Sequence, residues 1–317
     1  MEKYWLDTPY DLNGKSVWVT GHQGMVGSAL MQRLRAENCR LLTVDRDALD
    51  LRRQADVEGW MSENKPEIVV IAAATVGGIL ANSENPAPFF YDNISISTNI
   101  IHSAYQCGVE RLLFLGSSCI YPRNCPQPMK EDALLTGALE ETNEAYALAK
   151  IGGLKMVEYY RKQYGCSFIS AMPCNLYGPG DRYDAYLSHV IPALIMKIHN
   201  AKEEGVGAVR VWGTGTPLRE FLYIDDLADA LVFLLRAYNG TTHINVGSGQ
   251  EMSILDLVKI ISEVIDYKGE IQFDNSMPDG VPRKVLDSNI LLNVGWKPKM
   301  CPKEGINAAY RSFLTQK

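Results

Sequence analysis

Residues 16–20 (SVWVT) form a short β-branched run that stops at Gly21, and from residue 25 to 34 the apolar residues return at helical spacing. Gly21, Gly24 and Gly27 punctuate the join. A strand that passes into a helix through so short a glycine turn predicts the first unit of a parallel sheet, with a phosphate site at the turn. In that setting the first glycine permits the tight turn, the second lets a diphosphate approach the backbone, and the third allows the helix to pack closely. With the residues between them, Gly21, Gln23, Gly24, Met25, Val26 and Gly27 become the candidate dinucleotide contacts.

The alternation continues. Further strands are expected at 40–44, 68–73, 111–115 and 167–172, with helices at 54–63, 93–107 and 143–164; the apolar run 68–81 reads as a buried strand followed by a glycine turn. This order predicts an α/β fold built on a doubly wound parallel (Rossmann) sheet. From Asn175 onward the strands shorten, at 209–213, 221–224, 243–247 and 270–274, and turns multiply. They predict a second, smaller α/β lobe for a substrate, interleaved with the last elements of the first. The expected division is 1–174 plus about 220–248 for the cofactor domain, and 175–219 plus about 249–317 for the substrate domain. A chain of 317 residues also exceeds the size at which one core keeps growing. Ser253 is expected to cap a helix with Asp256 in its first turn, and a last helix closes the lobe near 303–315.

The end of the second strand chooses between cofactors. A carboxylate there accepts the ribose 2′-hydroxyl of NAD, whereas an arginine accommodates the 2′-phosphate of NADP. Asp45 and Arg46 supply one of each. The guanidinium tips the expectation to NADP (NADPH); the alternative is that one of the two is a solvated loop residue.

The strand at 111–115 would deliver Ser117 and Ser118 to its carboxyl end, the edge where open α/β sheets place ligands. Tyr146 and Lys150, four apart on the following helix, share a face, so the ammonium is expected to favour the ionised phenol. Alone, such a pair is a common helix-surface arrangement. Beside the glycine turn and the strand-end serines, it reads as equipment for proton and hydride transfer at a carbonyl.

These segments, together with MPCNLYGP (172–179), SHVIPAL (188–194), WGTGTPLREFLYIDD (212–226) and PDGVPRKVLD (278–287), carry a resemblance. From about residue 15 the chain resembles the extended short-chain dehydrogenases/reductases, and among them the branch that converts GDP-4-keto-6-deoxy-D-mannose to GDP-L-fucose. Met172 and Pro122 stand where most extended relatives carry Arg and Gly, as they do in that branch. The resemblance implies epimerisation at C3 and C5 of a GDP-linked keto-deoxy sugar, followed by reduction at C4 with NADPH. It makes Ser117, Tyr146 and Lys150 the reductive group, with Lys150 also contacting the cofactor. It adds Cys119 and His189 as the two proton-handling groups, since a thiolate can abstract a proton when positive charge lies near and an imidazole titrates near neutrality. Read alone, Cys119 would be a small buried hydrophobe.

Arg219, Arg283 and Lys284 are candidates for the nucleotide diphosphate, because a chain of net charge −6 must supply local cations to a dianion; surface salt bridges are the alternative. Asn175, Lys197 and Trp212 complete the expected substrate set. Gln23 and Val44 occupy positions where this branch often carries arginine, which leaves Arg46 as the main 2′-phosphate ligand. A sister enzyme acting on a GDP-linked colitose or heptose precursor would keep the same groups, and a non-catalytic NADP-binding sensor would keep the fold but have no need of the full acid/base set.

The acidic balance argues against nucleic acid. No apolar run approaches the roughly 20 residues a membrane helix needs. Seven irregularly spaced cysteines and an N-terminus without signal-peptide order point to the cytoplasm. No metal is expected, and a homodimer is implied by the resemblance alone.

Overall fold

The computed structural model describes residues 4–184, 188–277 and 279–316. Pro278, the first residue of one motif, lies outside them. The first half runs β1 (Ser16–Thr20), α1 (Met25–Leu34), β2 (Arg40–Leu42), α2 (Gln54–Asn64), β3 (Ile68–Ile71), α3 (Ile79–Glu84), α4 (Pro86–Gln106), β4 (Arg111–Leu115), α5 (Glu144–Tyr164) and β5 (Phe168–Pro173). There follow β6 (Asn175–Tyr177), α6 (Val190–Glu203), β7 (Ala208–Trp212), β8 (Leu218–Tyr223), α7 (Ile224–Ala237), β9 (Ile244–Val246), β10 (Glu251–Ser253), α8 (Ile254–Ile265), β11 (Glu270–Asp274), β12 (Arg283–Lys284), α9 (Asn289–Leu292) and α10 (Pro302–Gln316).

Six parallel strands form the main sheet in the order β2-β1-β3-β4-β5-β9. Every residue of β1, β3, β4 and β5 is buried, which is why these segments read as unbroken apolar runs: helices cover both faces. On them α1 packs against α7, and α4 against α5 and α2. The chain order reverses around β1 and β3, so the carboxyl edge there opens the crevice that doubly wound sheets use for ligands. A second sheet, β10-β8-β12 with β6 on β8, and a parallel pair β7–β11 build the smaller part.

Several boundaries differ from expectation for local reasons. Helix α4 begins at Pro86, seven residues early, because Pro86 and Pro88 sit in a first turn whose N–H groups have no partner to lose. After β3 the chain does not simply turn but enters the short helix α3. Strand β8 starts at Leu218 rather than 221 and holds the charged Glu220 fully buried. Its carboxylate accepts from the N–H groups of Gly249, at 2.8 Å, and Leu286, at 2.9 Å, which makes that burial tolerable. Strand β8 runs to Tyr223 within the second sheet, and α7 follows directly at Ile224 and packs against α1. Ser253 caps α8 as expected, accepting from the Asp256 N–H at 3.0 Å.

Candidate active site

The glycine turn is a cradle built from close approaches. Gly21 has φ +68°, a left-handed backbone that favours glycine, and a Cβ on Gly27 would lie 2.1 Å from the Gly21 carbonyl oxygen. The backbones can therefore meet only as they do. Gly24 stands at the N-cap of α1, where no side chain caps the helix and no acidic residue occupies the first turn. The free N–H groups and the positive end of the helix suit a diphosphate, so the residues fit a dinucleotide. Beside the turn, Gln23 Nε2 donates to Asp45 Oδ1 at 2.8 Å and His22 Nε2 lies 3.3 Å from the same oxygen. Asp45 is thus drawn back toward the turn, while the neighbouring Arg46 is exposed.

Ser117, half-buried at the end of β4, accepts from the Cys119 N–H at 3.4 Å and opens a short 3₁₀ turn carrying Cys119. Helix α5 brings Tyr146 and Lys150 alongside. The Lys150 ammonium is buried, donates to the Leu115 carbonyl at 2.9 Å and lies 5.7 Å from the centroid of the Tyr146 ring. Burial pulls its pKa down to about 8, while Cys119 acts to raise it. The phenol moves opposite to expectation. Burial, then Cys119, pushes the Tyr146 hydroxyl well above its ordinary value, so it is a protonated donor at pH 7.

Cys119 is buried, and burial pushes its thiol up; the Lys284 ammonium, the Ser117 hydroxyl and Lys150 pull it back. His189, the N-cap of α6, titrates below its usual value through lost solvation and the same Lys284 charge. The resting pair is therefore thiol and neutral imidazole, not the thiolate the sequence reading invoked. Lys284 bears on both, although it was expected only as a diphosphate ligand. Nothing in its local sequence marks this; the signal is that β12 lies parallel to β8 with Lys284 opposite Arg219.

The other expected substrate residues divide. Arg283 is held by Glu251 in a two-pronged ion pair of 2.7 and 3.0 Å, the salt-bridge alternative, and is not free for a diphosphate. Arg219 is half-buried and donates to its neighbour's carbonyl, Leu218 O, at 2.8 Å; burial lowers its pKa and Asp279 raises it. Asp279 also accepts from Thr214 N and Oγ1 at 2.9 and 2.7 Å, pinning the loop after β7 at whose end Trp212 stands exposed. Asn175 gives one N–H to Glu220 O at 2.9 Å, so its amide ties β6 to β8 and leaves its second N–H and its oxygen for a ligand. Lys197 is exposed on α6. Val44 is half-buried after β2.

Sequence reasoning missed the supports. Asn93, buried on α4, clamps the loop after β3 through Thr75 N and O at 3.1 and 2.9 Å, and Asp92 accepts from Thr75 Oγ1 at 2.9 Å. Adjacent polar residues within an apolar-spaced helix were the available signal. Among the described residues no group of three His, Cys, Asp or Glu side chains is placed to hold a metal ion, and no helix is long and apolar enough to cross a membrane.

Residues 17–247 match the family described as NAD dependent epimerase/dehydratase. A GDP-L-fucose synthase of Sinorhizobium fredii is 54% identical over 306 residues, covering 96% of this chain and 98% of its own length. GDP-L-fucose synthase 1 of Arabidopsis thaliana is 52% identical, covering 94% and 93%. Among solved structures, a GDP-L-fucose synthetase of Naegleria fowleri bound to NADP superposes with a TM-score of 0.90 at 26% identity, covering 98% of both chains.

Proposed function

The chain belongs to the NAD dependent epimerase/dehydratase family, and from that premise we propose that it converts GDP-4-keto-6-deoxy-D-mannose to GDP-L-fucose with NADPH, by epimerisation at C3 and C5 and then reduction at C4. The observation that carries the reading is the grouping of a buried thiol, an imidazole and the Lys284 ammonium beside the Ser117, Tyr146 and Lys150 set. Reduction alone has no use for the first group.

Bound NADPH would supply the hydride to C4. Gly21, Gly24 and Gly27 with the first N–H groups of α1 would hold its diphosphate, and the exposed Arg46, beside an Asp45 already bonded to Gln23, favours the 2′-phosphate of NADP over NAD. The Tyr146 phenol gives its proton to the C4 oxygen, a role its raised pKa suits. Lys150 orients and charges that corner, and the Ser117 hydroxyl donates to the same oxygen. During epimerisation these donors stabilise the enolate, because the C4 carbonyl acidifies both C3 and C5. Cys119 and His189 move protons on and off the two carbons. Arg219 and Lys284, with Asn175, Lys197 and Trp212, receive the GDP moiety and the ring.

Residues 1–174 with about 220–248 form the cofactor domain in this reading, and 175–219 with about 249–317 the substrate domain. Exposed aromatics on α4 and α5, among them Tyr91 at 55% and Tyr159 at 61%, give two copies an apolar face on which to pair as a homodimer. Seven free cysteines suit the reducing cytoplasm.

Incubation with GDP-4-keto-6-deoxy-D-mannose and NADPH in heavy water tests the activity. Deuterium at both C3 and C5 of GDP-L-fucose is expected. Label at C5 alone would reassign the chain to a sister enzyme of the colitose or heptose type, and NADPH binding with neither exchange nor oxidation would leave only a sensor.

A further inference from the structure

The Cys119 thiol and the Lys284 ammonium that acts on it come from distant parts of the chain. Cys119 sits on the turn after β4, and Lys284 on β12. Both are followed within three residues by a backbone or side-chain group that converges on one buried amide, that of Asn245 in β9. Asn245 is fully buried, and its side chain bonds to three separate segments, using both of its N–H donors. Oδ1 accepts from the Tyr121 hydroxyl at 2.5 Å, and Nδ2 donates to Met129 O at 3.0 Å and to Asp287 O at 3.1 Å. The same hydroxyl lies 3.0 Å from His243 Nε2. Around the knot, Met129 N donates to Val285 O at 2.8 Å and Asp287 N to Met129 O at 2.8 Å, so residues 285–287 are laced to the segment that follows the Cys119 turn.

We propose that Asn245 is a positioning residue for epimerisation: its amide clamps the Cys119 turn, through Tyr121, to the Lys284 strand, through Asp287, and so sets the distance between thiol and ammonium. The inference rests on the activity proposed above. The serine end of the same turn has an independent anchor, since Gly116 N donates to Ala171 O at 2.9 Å in the main sheet. Loosening the amide knot therefore frees Cys119 relative to Lys284 more than it frees Ser117 relative to Tyr146. A side chain that satisfies three segments at once is replaceable by no apolar residue without leaving buried polar groups unpaired.

The test compares Tyr121→Phe, which deletes one hydroxyl and keeps the ring, with Asn245→Ala. Two rates are measured on full-length protein. Deuterium exchange into the GDP-linked ketone is followed in heavy water with NADP⁺ in place of NADPH. Hydride transfer is followed as single-turnover NADPH oxidation on ketone already equilibrated with the wild type and filtered free of it. Exchange is expected to fall roughly tenfold or more in Tyr121→Phe, with hydride transfer within about threefold of the wild type, since displacement of a reacting group by about 1 Å can cost 10²-fold. Equal loss of both rates in folded Tyr121→Phe, or no loss in either variant, overturns the positioning role. Absence of exchange in the wild type overturns instead the activity on which it rests.

Discussion

The Lys150 ammonium donates to the carbonyl of Leu115 at 2.9 Å, a bond that ties the helix carrying Tyr146 to the strand that delivers Ser117. The bond explains how an ammonium is tolerated in a buried position, and burial explains why its pKa falls to about 8.

Because the shift is downward, the charged form persists below that value and is lost as pH rises through it. The rate of hydride transfer is expected to decline as pH increases past about 8. Lys150→Arg keeps the charge, so its slower reaction should lose this alkaline limb. A pH profile of single-turnover NADPH oxidation decides it; a rate that climbs through pH 8 would contradict the assignment.

Separating the two chemistries is the next expectation. Cys119→Ser should depress deuterium exchange by about 10²- to 10⁴-fold, the usual worth of a positioned acid or base, while leaving NADPH affinity intact. Tyr146→Phe should depress hydride transfer on a similar scale. Unaltered turnover in both would refute the roles given to them.

At the glycine turn, Gly27→Ala places a methyl 2.1 Å from the Gly21 carbonyl oxygen, where only backbone could yield. A loss of about 1–3 kcal/mol in stability is expected, with loss of NADPH binding. Gly59 offers the contrast, lying within α2 with nothing inside 4 Å of the added carbon. There alanine should stabilise by about 0.5–1 kcal/mol in denaturant titration.

Cofactor choice is expected to rest on Arg46. Removing its guanidinium should cost about 1.5–3 kcal/mol of NADPH binding, roughly ten- to a hundredfold in Kd, and leave NADH unchanged. Equal weakening of both in calorimetry would place the 2′-phosphate elsewhere.

The two arginines near the substrate edge should behave differently. Arg283→Ala breaks only a solvent-screened surface pair with Glu251 and should leave the KM for the GDP-sugar nearly unmoved. Arg219→Ala should raise that KM at least tenfold, as expected for a charge-assisted bond to phosphate. Equal effects would restore Arg283 to the diphosphate site.

What could be read along the chain was whatever is written in consecutive residues. The turn Gly21 to Gly27, the apolar runs of β1, β3 and β4, the Ser253 cap and the pairing of Tyr146 with Lys150 are all specified within a few residues of themselves. Backbone sterics, strand burial and helical periodicity act at that range, so the cofactor half was legible before any coordinates. Charge and protonation at the site were not. Arg283 and Lys284 are neighbours, yet one meets Glu251 and the other Cys119 and His189, because successive side chains of a strand point to opposite faces. Likewise the thiol, phenol and imidazole take their resting states chiefly from burial, Cys119 adding to it at the phenol and Lys284 at the imidazole, while Lys284 and Lys150 oppose it at the thiol; Lys284 lies 165 positions from Cys119 in the numbering of the chain. Desolvation and Coulomb energy depend on distance through space, and only folding sets that distance.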